Sequence, residues 1–130
     1  MADANNSYEY VEVNKNTMQH IRYQNIFSLG DCVNDSCSKT DAAIIKQAPV
    51  VLENLLAAMS NQALTAEYTG YSACPIPTKY CKLMLAEFDY SNTPKITFPF
   101  DQSKPIWAMW ILKTKILPWL YWNKILKGTA

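Results

Sequence analysis

The stretch Asn25-Ile26-Phe27-Ser28-Leu29 ends in Gly30-Asp31, and a helix start follows a few residues later. Three apolar residues, Ile26, Phe27 and Leu29, broken by Ser28 predict a buried strand. Gly30 lets the backbone approach a ligand closely. Asp31 offers carboxylate oxygens that accept from sugar-alcohol hydroxyls. Ser38 with Asp41 forms a capping-box pattern, and Thr40 is an alternative cap. The helix start presents free amides and the positive end of a dipole, suited to a negative charge, and Lys39 adds a full charge there. An ordinary strand–loop–helix joint with Asp31 in a turn has the same spacing.

What can surround this joint is bounded by glycine. The 130 residues hold three, Gly30, Gly70 and Gly128, so neither a G-x-G-x-x-G loop nor a Walker loop is possible here. The phosphate cradle of any nucleotide cofactor is therefore expected outside this chain. The length suits one domain, and 49% hydrophobic with 18% charged residues can supply a core. Residues Met1 to Ser7 are polar and show neither an apolar targeting core nor a basic presequence.

Tyr8 to Val13 reads as a strand and Asn14-Lys15-Asn16 as a turn. The helix opened near Ser38 is expected to run to about Ser60, ended by Asn61-Gln62. Its expected apolar face is Ile44, Ile45, Val51, Leu52, Leu55, Leu56 and Met59, with a kink at Pro49. Tyr80 to Tyr90 and Lys95 to Phe100, around a Ser91-Asn92-Thr93-Pro94 turn, predict an antiparallel hairpin. Strand, loop, helix, hairpin and short amphipathic helices make an α+β chain. Three segments are expected: 1–63, 64–101 and an amphipathic tail, 102–130.

That tail holds all four tryptophans, Trp107, Trp110, Trp119 and Trp122, and five lysines without an acid. Residues 1–101 carry seven basic and eleven acidic side chains. A basic, Trp-bearing end on an acidic body points to an anionic membrane surface rather than to nucleic acid, which calls for a denser Arg/Lys patch. The uncharged runs of the tail are eight residues each, too short to span a bilayer. A helical hairpin packing on its own domain or on a partner subunit is the alternative.

Cys74 stands in Tyr71-Ser72-Ala73-Cys74-Pro75-Ile76-Pro77, where prolines stiffen the chain and could aim a thiol. It could equally be a small buried hydrophobe. The spacings Cys32-x4-Cys37 and Cys74-x6-Cys81 are wider than zinc ligands use, so no metal is expected. A disulfide scaffold is possible, but this much apolar content needs no staples. His20, the single histidine, reads as a solvated surface residue beside Arg22.

The order of these features resembles the C-terminal part of sulfide:quinone oxidoreductases of the mitochondrial type. The resemblance rests on Val11-Glu12-Val13-Asn14-Lys15, Asn25 to Cys32, Ser38-Lys39-Thr40, Tyr71-Ser72-Ala73-Cys74-Pro75, Leu85-Ala86-Glu87-Phe88-Asp89-Tyr90, Phe98-Pro99-Phe100-Asp101-Gln102-Ser103-Lys104 and Leu120-Tyr121-Trp122-Asn123. Gly-Asp marks only the wider FAD disulfide-reductase superfamily; the Ala-Glu-Phe-Asp-Tyr and Phe-Pro-Phe-Asp-Gln runs are far more specific. The resemblance implies two-electron oxidation of sulfide through paired redox cysteines and FAD, with reduction of ubiquinone and release of sulfur to an acceptor. It implies Cys74 as the flavin-facing redox cysteine and Asp31 on the ribityl chain. Lys39 and Thr40 fall by the ring's pyrimidine edge, and Phe88 and Phe100 at the quinone. It also implies a monotopic anchor in 102–130 at the mitochondrial inner membrane. The first redox cysteine and the glycine-rich FAD loop have no counterpart among these residues, so this chain alone is expected to be catalytically incomplete.

Overall fold

A computed structural model describes residues 9–129. The chain forms two compact units. The first takes the residues up to Ala73 together with Phe88–Pro94; the second takes Cys74–Glu87 and the residues from Lys95 onward.

In the first unit the segments before residue 40 pair through single bridges rather than continuous ladders. Val11 pairs in parallel with Val33, while Val13–His20 and Gln19–Phe27 pair antiparallel. The predicted strand over Tyr8–Val13 is thus two isolated bridges, and Tyr8 lies outside the described residues. The predicted buried strand over Asn25–Leu29 is likewise one bridge, with Ile26 to Leu29 only half-buried. The reason is pairing: His20 N donates to Ile26 O and Ser28 N to Met18 O, which occupies one edge only. Neighbouring strands fill a strand's edges, whereas other layers bury its faces, and single bridges build no sheet for such layers to cover on both sides. The Asn14 turn forms as expected, its Oδ1 accepting from Asn16 N at 2.9 Å and Thr17 N at 3.2 Å.

Helix α1 spans Asp41–Met59. Its cap is Thr40 rather than Ser38: Thr40 Oγ1 accepts from Ala43 N at 3.3 Å. It ends where predicted, with Asn61 in the left-handed conformation at φ 53°. Its inward face is not the expected one. Ala43, Gln47, Val50 and Asn54 are buried, whereas Leu52, Leu56 and Met59 are more than half exposed. Two of the inward residues are polar, and long-range hydrogen bonds hold them there. Asn54 Nδ2 donates to Thr17 O and Ala66 O, and its Oδ1 accepts from Ala66 N. By length and composition α1 could cross a membrane; the bonds of Gln47 and Asn54 tie it to the body of the unit. The core is Val13, Met18, Val33, Ala43, Val50 and Tyr68. Tyr90 closes over Gly70, where a Cβ would stand 2.4 Å from the tyrosine ring, so only glycine fits.

A two-stranded ribbon, β1 (Ser72–Lys79) and β2 (Lys82–Phe88), gives the second unit its Cys74–Glu87 part, while Ser72, Ala73 and Phe88 count with the first. The antiparallel hairpin predicted one connection later is therefore displaced: Tyr80 to Tyr90 pairs backward, and Lys95–Phe100 is not a strand. Tyr80-Cys81 makes the turn, with Cys81 left-handed at φ 59°. Pro75 and Pro77, two apart, turn their donor-less nitrogens to one edge, which a two-stranded ribbon leaves unpaired. On β2, Leu83 and Glu87 face inward. The other edge of β2 receives Ile106, bonded both ways to Leu83. Two short helices follow, α2 (Trp107–Ile111) and α3 (Leu117–Asn123), joined by a widened π-type turn, Leu112–Ile116. The widening falls where the ring of Pro118 would crowd an α-helical turn.

Candidate functional site

The Gly-Asp joint is held by α1. Gly30 is buried and left-handed at φ 77°, and its amide donates to Gln47 Oε1 at 2.8 Å. The Gly30–Cys32 turn that follows leaves the Asp31 carboxylate exposed, without a hydrogen bond or ion pair among the described residues. Lys39 Nζ donates to Val33 O at 2.6 Å and sits 4.3 Å from the Tyr10 ring centroid. Its charge therefore stays beside the Gly30–Cys32 turn. Thr40 spends its hydroxyl on the helix cap.

Beside this joint lies a cluster that the sequence reading did not single out. Cys37 Sγ donates to Asp35 Oδ2 at 3.0 Å and receives the Tyr68 hydroxyl at 3.4 Å. Burial, then the Asp35 bond, push the Cys37 thiol up to about 11. Tyr68, whose one hydroxyl hydrogen is shared between Cys37 Sγ and the nearer Tyr71 O at 2.6 Å, is raised above its usual range by burial first and its Cys37 partner next. Cys37 is thus held as a neutral thiol, unlike a reactive one. A cleft of about 210 Å³ opens here, lined by Ser36, Cys37, Ser38, Ser72, Phe88 and Asp89 among others. Phe88 therefore lines a cleft of the first unit. A larger cleft, about 500 Å³, lies at the opposite end of α1 beside Phe27, Leu55, Met59 and Leu64.

Cys74 is exposed and lies on β1, in the second unit, with its thiol free. The Pro75 carbonyl next to it accepts from Lys113 Nζ at 3.3 Å. Phe100 belongs to the same unit. Its ring stacks on Phe98, with centroids 5.3 Å apart and planes 20° apart. Sequence reading missed Phe98 as a partner because the segment was expected to be a strand, where residues 98 and 100 would point the same way without stacking flat. Trp107, Trp119 and Trp122 are more than half exposed, and Trp110 packs on Tyr80 at 5.8 Å. His20 is a correction. It is buried rather than solvated, its Nδ1 accepting from Arg22 N at 3.0 Å and Tyr23 N at 3.3 Å. The turn after it folds back over the ring, which the polar neighbours in sequence did not reveal. All four cysteines are free thiols.

No protein-family profile matches the chain. Among curated proteins it is 44% identical over 119 residues to the mitochondrial sulfide:quinone oxidoreductase of Mus musculus. It is 45% identical to that of Dictyostelium discoideum and 42% identical to that of Schizosaccharomyces pombe. These matches cover 88–92% of this chain but 26% of each relative. Among solved structures, a chain in the cryo-EM structure of the Tetrahymena thermophila mitochondrial ATP synthase superposes with a TM-score of 0.81 at 27% identity. That match covers 89% of this chain and 28% of the other. The family that the motifs resemble is therefore the one the comparisons return: along nearly its whole length this chain is related to mitochondrial sulfide:quinone oxidoreductases, and it spans about a quarter of theirs.

Proposed function

We propose that this chain is the C-terminal portion of a mitochondrial sulfide:quinone oxidoreductase, the closing end of a two-domain α/β flavoprotein. The single observation that carries this is 42–45% identity to three such enzymes over a stretch that includes the Gly-Asp joint and the Cys74 strand. The residues present fit the FAD that such enzymes use. The exposed Asp31 carboxylate can accept from hydroxyls of a ribityl chain, and the amides at the start of α1 suit an anionic ring edge. Lys39 and Thr40 flank that helix start. FAD, when bound, takes up the two electrons from sulfide.

In this reading Cys74 is the redox cysteine, and its exposure leaves the thiol reachable. Phe88, in the first unit, and Phe100, in the second, are each taken as an aromatic contact for ubiquinone, since flat apolar rings suit a flat ligand. Segment 102–130 is a monotopic anchor on the inner membrane. Its exposed Trp107, Trp119 and Trp122 sit at the interface, and its lysines reach toward headgroups. Residues 1–63 close the FAD domain, and 64–101 carry the thiol and the hairpin. Sulfide, ubiquinone and a sulfur acceptor are the partners of the complete enzyme. Taken alone, these residues provide one redox thiol by motif and no phosphate cradle, so the chain by itself does not turn over.

The test completes the chain with the upstream part its relatives carry and measures sulfide-dependent reduction of decylubiquinone. Cys74→Ser should abolish turnover while the flavin stays bound. Robust turnover by the 130 residues alone with added FAD would overturn the incomplete-fragment reading. A second reading, a non-catalytic module for docking on a membrane or a subunit, draws on the likeness to a chain of an ATP synthase assembly. Under it, Cys74→Ser leaves vesicle or subunit binding unchanged and has no other consequence.

A further inference from the structure

The second unit contains a buried polar staple that the proposed reaction does not use. Glu87 is 2% exposed and Gln102 is 1% exposed. Gln102 Nε2 donates to Glu87 Oε2 at 2.5 Å and to Lys95 O at 3.1 Å. Its Oε1 accepts from Thr97 N at 3.1 Å and Phe98 N at 3.2 Å. Both hydrogens and both lone pairs of this amide are thereby used, which fixes which way it points. Thr97 Oγ1 donates to Glu87 Oε1 at 2.9 Å, and Lys95 N donates to Glu87 O at 2.9 Å. Every one of these bonds ends on β2 or on the 95–102 loop. The loop itself forms neither helix nor strand, yet it carries the flat Phe98–Phe100 stack.

We propose that Glu87 and Gln102 are positioning residues that hold the Phe98–Phe100 stack as a preformed ledge for a planar, weakly polar ring, the quinone of the proposed reaction. The inference rests on the reading given above. A ledge on an unsupported loop would lose affinity to the cost of ordering it on binding; a loop already stapled does not pay that cost. A carboxylate suits the post because, ionised, it only accepts. Here it meets an amide N–H and a hydroxyl that both donate. The ligand class rests on the reaction proposed above and suits the ledge: the stacked rings lie within 20° of parallel, and no charged side chain contributes to the stack.

The experiment uses the 130-residue chain and decylubiquinone, read by quenching of its tryptophan emission, since all four tryptophans lie in this unit. Wild type should show saturable quenching. Phe100→Ala and Glu87→Leu should each raise the apparent Kd at least tenfold, with Glu87→Leu keeping the far-ultraviolet circular dichroism of wild type. Glu87→Gln can still accept from Gln102 and donate to the Thr97 hydroxyl, so it should stay within about threefold of wild type. A role in bulk folding alone would change the melting curve and leave the Kd alone. If Glu87→Leu unfolds the unit, Thr97→Val, which removes one hydroxyl bond, should raise the Kd a few-fold. Saturable wild-type binding with an unchanged Kd in Glu87→Leu, or in Thr97→Val where Leu unfolds, overturns the positioning role and leaves the quinone reading standing. Absence of saturable binding by wild type overturns both.

Discussion

Gln47, in the second turn of α1, accepts the Gly30 amide at 2.8 Å, so the helix itself holds the Gly-Asp turn in its left-handed shape. The bond spans 17 positions and both partners are buried. Gln47→Leu leaves the Gly30 N–H in the interior without an acceptor and should cost about 1–3 kcal/mol of unfolding free energy. Urea denaturation followed at 222 nm measures it. A loss below about 0.5 kcal/mol would show that the bond is immaterial.

Cysteine labelling should separate the four thiols by environment. With its thiol raised to about 11, Cys37 is about one part in a thousand thiolate at pH 8. Native iodoacetamide treatment followed by peptide mass spectrometry should modify exposed Cys32 and Cys74 well before Cys37. In urea the difference should vanish. Native labelling of Cys37 at the Cys74 rate would contradict the Asp35–Cys37 geometry.

The same cluster sets an alkaline limit. Cys37, Tyr68 and Tyr90 are all shifted upward, each chiefly by burial. The folded state therefore prefers their protonated forms. Their contribution is complete below the unfolded thiol value, about 9, and declines as pH rises through about 11 and beyond. The melting temperature should fall steadily above pH 9. In a spectrophotometric titration at 295 nm, two of the eight tyrosines should ionise only as the chain unfolds.

Opposite faces of α1 should respond oppositely to truncation. Val50 points into the core at 9% exposure, and Val50→Ala should cost about 2 kcal/mol. Leu52 is 59% exposed, and Leu52→Ser should lie within about 0.5 kcal/mol of wild type. A reversal of that order would restore the apolar face expected from the sequence.

Tail binding to lipid is testable by tryptophan emission. Vesicles containing anionic lipid should shift the spectrum to the blue, with the effect weakened by 0.5 M salt because five lysines supply part of the attraction. Replacing both Trp119 and Trp122 by Ala should remove most of the shift. An identical response from the double variant would place the contact elsewhere.

Local chemistry was legible along the chain. Thr40 could cap, Asn61 could end a helix, and Asn14 could close a turn, because each acts on backbone groups within three or four positions. The Gly-Asp joint and the Ala-Glu-Phe-Asp-Tyr and Phe-Pro-Phe-Asp-Gln runs were legible for the same reason: their identity is carried by contiguous residues. The family reading rested on those runs, and the curated relatives support it over 119 residues.

Pairing and burial came only from the folded chain. The ribbon formed around Tyr80-Cys81 and not around Ser91–Pro94, since the partner of a strand is chosen across the sheet and Tyr80-Cys81 carries no turn residue that marks it in the sequence. Gln47 and Asn54 took the inward face of α1 from leucines because partners 12 to 37 positions away satisfy them. His20 and Glu87 are buried for similar reasons: a polar group enters the interior once its hydrogen bonds are met there. Such bonds join residues that no local spacing brings together, so the sequence could name the parts of the site while the tertiary structure decided which of them are held, and by what.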